Sequence, residues 1–150
     1  MPSVFITGCN RGLGLEFTKQ YLADGWRVFA TCRNADTATE LSGLSGDLNV
    51  MSMAVDDDAA IDAMAAKLDG EAIDVLISNA GVMGDRQSLG DLQSDNWEQV
   101  LRVNIISPLM VCQAFIEHVA RSNQKKMANV SSKMGSVADN NSGFIHLSFQ

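Results

Sequence analysis

Three glycines within the octet Thr7-Gly8-Cys9-Asn10-Arg11-Gly12-Leu13-Gly14 are the residues whose types and spacing point most directly to chemistry. They follow the apolar run Val4-Phe5-Ile6 and open a periodic segment, residues 13–23, with Leu15, Phe17 and Leu22 at its apolar positions. A dinucleotide pyrophosphate needs backbone close to it, free N–H groups and the positive end of a helix, and glycine permits that approach. The spacing is Gly-x-x-x-Gly-x-Gly. It is therefore neither Gly-x-Gly-x-x-Gly nor a phosphate loop ending in Gly-Lys-Ser/Thr. The bland alternative is an ordinary glycine turn, which the strand–turn–helix context disfavours.

The elements around the loop read as an alternating chain. Residues 26–31 form a second strand after the helix-ending Gly25, and residues 34–44 are weakly helical. Residues 49–55 form a third strand. Asp56, Asp57 and Asp58 open a helix with acids at its positive end, and Ile61, Met64, Ala65 and Leu68 give it an apolar stripe up to Gly70. Residues 73–77 are nearly all apolar, as a strand covered on both faces would be. A long helix over residues 96–121 and a fifth strand over residues 127–130 follow, and residues 84–94 form a polar loop. Repeated strand–helix alternation predicts an α/β fold, a Rossmann-like doubly wound parallel sheet.

Composition narrows the class of function. The chain has 150 residues, 46% hydrophobic and 19% charged, which fits one globular domain. A net charge of -7 argues against general nucleic-acid binding while leaving room for a local basic spot. The three cysteines, Cys9, Cys32 and Cys112, are widely spaced and predict free thiols in a reducing compartment. The N-terminus has no leader pattern and no apolar run approaches a membrane span, so the expectation is a cytoplasmic protein with no membrane partner.

Four motifs in order carry a family resemblance: the glycine loop, Ser78-Asn79-Ala80-Gly81, Arg102-Val103-Asn104, and Asn129-Val130-Ser131-Ser132. Together they resemble the short-chain dehydrogenase/reductase family. Ser132-Lys133-Met134-Gly135-Ser136 and Asp139-Asn140-Asn141-Ser142-Gly143 resemble its C-factor-like and sniffer-like carbonyl-reductase branch. The resemblance implies strand order 3-2-1-4-5 and NAD(P)-dependent hydride transfer between a carbonyl and a secondary alcohol. It implies that Gly8, Gly12 and Gly14 hold the pyrophosphate, that Asn10, Arg11 and Leu13 are cofactor-binding residues of the same loop, and that Asn79, Ala80 and Gly81 flank the adenosine ribose. Asn104 would join a water relay to a lysine, and Ser132 would bond the substrate carbonyl. The bland alternatives are a turn residue after a strand for Asn79, a polar helix residue bonded to backbone for Asn104, which alone would be the commoner case, and a strand-end cap, an equal reading, for Ser132. Arg33, just past strand two, and Arg11 would meet a 2′-phosphate, favouring NADP with NAD as the alternative. Arg33 could otherwise be a solvated arginine. Where the family often has Asp before Val at the end of strand three, this chain has Ala54 before Val55, so adenine would rest on backbone groups around Val55.

One family element is missing from the sequence. Tyr-x-x-x-Lys should follow the serine, the tyrosine donating a proton and the lysine lowering its pKa. The one tyrosine is Tyr21, and only Lys133 follows Ser132. Codons chosen for Phe144-Ile145-His146-Leu147-Ser148-Phe149-Gln150 give Ser-Tyr-Ile-Tyr-Arg-Ser when read one base later. The expectation is a nucleotide-binding domain over residues 1–143 and an aberrant, frameshifted tail over 144–150, in which His146 has no role. A chain lacking the last strands and helices of the full fold would expose the long helix and strand five, and would self-associate there. The readings left open are an active reductase, a catalytically inactive dinucleotide-binding chain and a C-factor-like signalling protein.

Overall fold

The computed structural model describes residues 1–85, 90–133, 136 and 138. The strands are β1 (Ser3–Thr7), β2 (Arg27–Cys32), β3 (Leu48–Ser52), β4 (Val75–Ser78) and β5 (Lys126–Asn129). The helices are α1 (Gly12–Ala23), α2 (Thr39–Ser42), α3 (Asp58–Lys67), α4 (Ser94–Leu101), α5 (Ser107–Ala114) and α6 (Ile116–Ala120). A π-helical turn, Arg102–Ile106, joins α4 to α5. The strands form one parallel sheet in the order β3-β2-β1-β4-β5, as expected from the sequence.

Side-chain alternation along each strand explains why both faces are covered. Val4, Ile6, Val28, Ala30 and Ile77 point to the face carrying Leu15 of α1 and Leu41 of α2. Phe5, Phe29, Met51 and Leu76 point the other way, against Ile61 and Met64 of α3 and Val111 of α5. Phe5 stacks on Phe115 with ring centroids 4.3 Å apart. Truncating either fully buried ring to alanine would cost about 3–5 kcal/mol. At the opposite end of the sheet from the glycine loop, buried Asp74 accepts backbone N–H bonds from Ser3 at 2.9 Å and from Asn123 and Gln124 at 3.2 Å each.

Three elements differ from the sequence reading. The third strand stops at Ser52 and not at Val55, because its partner β2 ends at Cys32; the last tie is Met53 N–H to the Cys32 carbonyl at 2.8 Å. Only one short helix, Thr39–Ser42, forms within the weakly helical stretch 34–44. The long helix is interrupted at the π turn and again at Phe115. Pro108 gives the first interruption its reason. It has no N–H to return to the Asn104 carbonyl four residues back, and its ring crowds that carbonyl. The Ser107 N–H instead reaches the Arg102 carbonyl, which also accepts the Ser107 hydroxyl at 2.7 Å. The expectations for the 144–150 tail, for His146 and for 139–143 fall outside the described residues, as do Met134 and Gly135 and residues 86–89 of the polar loop.

Candidate functional site

The chain runs from β1 to β2 and β3 on one side, then returns to β4 and β5 on the other. In open parallel sheets a ligand crevice opens beyond the C-terminal strand ends where the order reverses, here between β1 and β4. The glycine loop leaves β1 at this point. Gly8 has φ +74° and Gly12 has φ +57°, a region that side-chain-bearing residues rarely adopt. A Cβ on Gly14 would run into the Gly8 carbonyl oxygen and come within 2.5 Å of the Asn79 amide nitrogen. One on Gly8 would lie 2.8 Å from the Ala80 Cα, whereas one on Gly12 would meet nothing within 4 Å. The glycines therefore divide the work. Gly8 and Gly14 let the loop pack on the β4 exit, and Gly12 leaves open space beside the helix start.

The start of α1 suits an anion. No side chain caps it, and its first turn carries no acid. Its leading N–H groups and the positive end of its dipole are thus unopposed by protein charge. The start of α3 is the contrast: the Asp57 carboxylate accepts from the Ala59 and Ala60 N–H groups at 3.0 and 3.3 Å. The sequence reading of Asp57 as a helix-start acid fits this geometry.

The β4 exit is fastened to the glycine loop through Thr7 and Asn79. The Thr7 hydroxyl accepts from the Asn79 and Ala80 backbone N–H groups, each at 3.0 Å. The Asn79 side-chain amide donates to the Thr7 carbonyl at 2.9 Å and the Gly8 carbonyl at 3.2 Å. Asn79 thus holds the shape of the loop, a task its position after a strand did not reveal.

Asn104, in the π turn, is buried. Its side-chain oxygen accepts from the Val82 N–H at 2.9 Å and its nitrogen donates to the Val82 carbonyl at 2.8 Å. Both ends of the amide are committed to fixing the segment just past Gly81. Ser132 lies three residues beyond β5 on the same rim as the glycine loop, and is half-buried. Arg33 follows β2 and Arg11 precedes α1; both are exposed, and among the described residues neither has an ion-pair partner. Asn10 and Leu13 are exposed on the loop and first helical turn. Val55, past the end of β3, shares a small hollow with Thr7, Ala80 and Val103.

Two residues to which the sequence assigned no role, Arg102 and Gln99, shape the same rim. The Arg102 Nε donates to the Asp56 carbonyl at 3.2 Å, and its Nη2 pairs with the Asp58 carboxylate. The Gln99 amide donates to the Asp56 carboxylate at 3.0 Å. No periodicity marks these contacts, which join positions over forty residues apart.

The thiols offer no nucleophile here. Burial pushes the Cys9 thiol up to about 12, and Cys9 donates to the Ile6 carbonyl at 3.1 Å. Burial also raises the Cys32 and Cys112 thiols. A thiol is reactive as its thiolate, so these groups resist that role.

Comparison with known proteins supplies the last observation. The short chain dehydrogenase family model matches residues 2–143. A short-chain dehydrogenase, cctT, of Talaromyces islandicus is 34% identical over 141 residues, which is 91% of this chain and 49% of that protein. NADPH bound carbonyl reductase from chicken fatty liver superposes with a TM-score of 0.82 at 33% identity, over 93% of this chain and 60% of that one. The carbonyl reductase Sniffer of D. melanogaster gives a TM-score of 0.86 at 27% identity, over 99% of this chain and 68% of that one. The chain spans about half the length of the curated relatives it matches.

Proposed function

The chain belongs to the short-chain dehydrogenase family, and we propose that it supplies the cofactor-holding part of an NADP-dependent oxidoreductase acting on a small carbonyl or secondary alcohol. The observation that carries this reading is the uncapped start of α1 beside Gly12, with Asn79 holding the loop in a shape that receives a pyrophosphate. The lean to NADP rests on Arg33 and Arg11, two exposed guanidinium groups near the β2 and α1 ends with no ion-pair partner among the described residues. A nearby relative in structure, the chicken carbonyl reductase, has NADPH bound. When bound, the nicotinamide cofactor supplies the hydride. This chain's residues would hold the pyrophosphate at Gly8, Asn10, Arg11, Gly12, Leu13 and Gly14, and the ribose side at Asn79, Ala80 and Gly81. Ser132 would orient a substrate carbonyl by hydrogen bonding, and Asn104 would steady the rim beside it.

The same reading includes self-association, through the exposed apolar residues of the π turn, α5 and α6 beside β5.

Titration of the chain with NADPH and NADH, followed by nicotinamide fluorescence, tests the reading. NADPH is expected to bind more tightly than NADH, and Arg33→Ala should weaken NADPH by about tenfold or more while leaving NADH nearly unchanged. Failure of the unsubstituted chain to bind either nucleotide would overturn the proposal. Equal losses for both nucleotides in Arg33→Ala would remove the case for the 2′-phosphate.

A further inference from the structure

Residues 54–57 connect β3 to α3 outside the strand ladder. Their internal tie is long, the Asp57 N–H reaching the Ala54 carbonyl at 3.4 Å. Their placement therefore depends on what grips them from outside. The grip comes from α4 and the π turn. Arg102 spans the Asp56 carbonyl and the Asp58 carboxylate with two nitrogens of one guanidinium, Nε and Nη2, and Gln99 holds the Asp56 carboxylate. Arg102 is itself fixed, because both the N–H and the hydroxyl of buried Ser107 bond its backbone carbonyl. The Arg102 side chain is 26% exposed, so it is largely shielded from water, while the Asp58 side chain is 46% exposed.

What the grip presents is Val55. It lines the hollow with Thr7, Ala80 and Val103, and Val103 is the residue next to Arg102 in the turn. The hollow lies where β1 and β4 part, lined also by Ser78 and by Ser107, Pro108 and Val111 of α5, and Val55 enters it from beyond β3, on the side of β1 where Arg33 stands. A dinucleotide draped over the crevice lays its adenosine half toward β2, since the residue following that strand is the one that meets the adenosine ribose. No carboxylate stands at position 54 or 55 to meet the exocyclic amine of a purine. Base recognition must then come from the backbone and apolar wall at Val55, whose position is set by Arg102.

We propose that Arg102 is a positioning residue for the base end of the dinucleotide. It touches no part of the nucleotide and acts by holding Val55 where the base would lie. This rests on the dinucleotide reading given above. The role needs arginine itself. A lysine can keep one charge contact with Asp58 but cannot also donate sideways to the Asp56 carbonyl.

The test compares two probes that share their phosphates and differ in the base: adenosine 2′,5′-bisphosphate and ribose 2,5-bisphosphate, each measured by competition with NADPH on the full chain. Arg102→Lys is expected to weaken adenosine 2′,5′-bisphosphate roughly five- to tenfold while ribose 2,5-bisphosphate changes less than about twofold. Asp58→Asn, which loses the ion pair but keeps the Nε bond, should leave both affinities within about twofold of the unsubstituted chain. A purely structural Arg102 would lower thermal stability and move both probes together, or neither; either result overturns the inference and leaves the dinucleotide reading intact. If the unsubstituted chain displaces no NADPH with either probe and binds none directly, both fall. Should Arg102→Lys not fold, Gln99→Ala replaces it, with a smaller selective loss for the adenosine probe expected and an unchanged ratio of affinities overturning the proposal.

Discussion

Gly14 and Cys9 show how differently two residues of one loop are constrained. Gly14 is demanded by contact, because any side chain there strikes the Gly8 carbonyl. Cys9 is demanded by volume and dryness, being fully buried among Val4, Ile6 and Leu15. Its thiol has a chemical consequence that can be measured. Burial raises it from 9.0 to about 12, so the folded chain keeps a proton that the unfolded chain gives up near pH 9. Stability from this group is complete below about pH 9 and is lost as pH rises toward 12, at up to about 1.4 kcal/mol per pH unit. Chemical denaturation at a series of alkaline pH values should show the native chain losing stability more steeply than Cys9→Ala; parallel curves would refute the assignment. The loop's glycines were legible because a phosphate-binding turn has a fixed spacing. Arg102 was not, because its partners become neighbours only when the α4 end folds against the β3 exit.

At the level of elements, the π turn sets the geometry of the rim. Arg102 reaches the β3 exit, Val103 lines the hollow and Asn104 clamps Val82. Three successive residues thus address three directions, which the widened turn allows. Replacing Asn104 by alanine removes both bonds to Val82 and strands its backbone groups, at a cost of about 1–3 kcal/mol. Amide hydrogen exchange at Val82 should accelerate in that variant while exchange in β1 and β2 keeps its rank; unchanged protection at Val82 would contradict the clamp. The sequence announced α3 plainly, since Ile61, Met64, Ala65 and Leu68 are all buried. It also held a signal for the π turn, the Ser107-Pro108 pair inside a helical stretch, which periodicity alone smooths over. The overlong third strand has a similar origin. Apolar Val55 continues the pattern, but the neighbouring strand has already ended.

For the whole molecule, alternation of strands and helices was enough to read a parallel sheet, and the family resemblance supplied the order β3-β2-β1-β4-β5. The central strands are buried on both faces, while all of β5 is exposed. Nearby, Ile105 of the π turn, Leu109 of α5 and Ile116 of α6 are 46%, 67% and 54% exposed. Apolar surface of this kind is stabilised by a partner surface. Sedimentation velocity over a concentration series should show reversible association that Leu109→Asp combined with Ile116→Asp weakens by at least about tenfold. A native chain that stays monomeric at every concentration would count against self-association.

The π turn also bears on how this chain tolerates change in length. Surface connections absorb gained or lost residues at little cost. A helix does not, because each residue advances the chain by about 100°. The π turn is different: the Ser107 N–H reaches back five residues to Arg102, so loss of one codon between positions 102 and 106 leaves an ordinary four-residue span that keeps α5 and α6 in phase, whereas loss of one within positions 109–113 of α5 would rotate Phe115 out of the core. The number of residues in α5 is therefore stricter than the number in the turn, which holds one residue more than an α-helical turn needs.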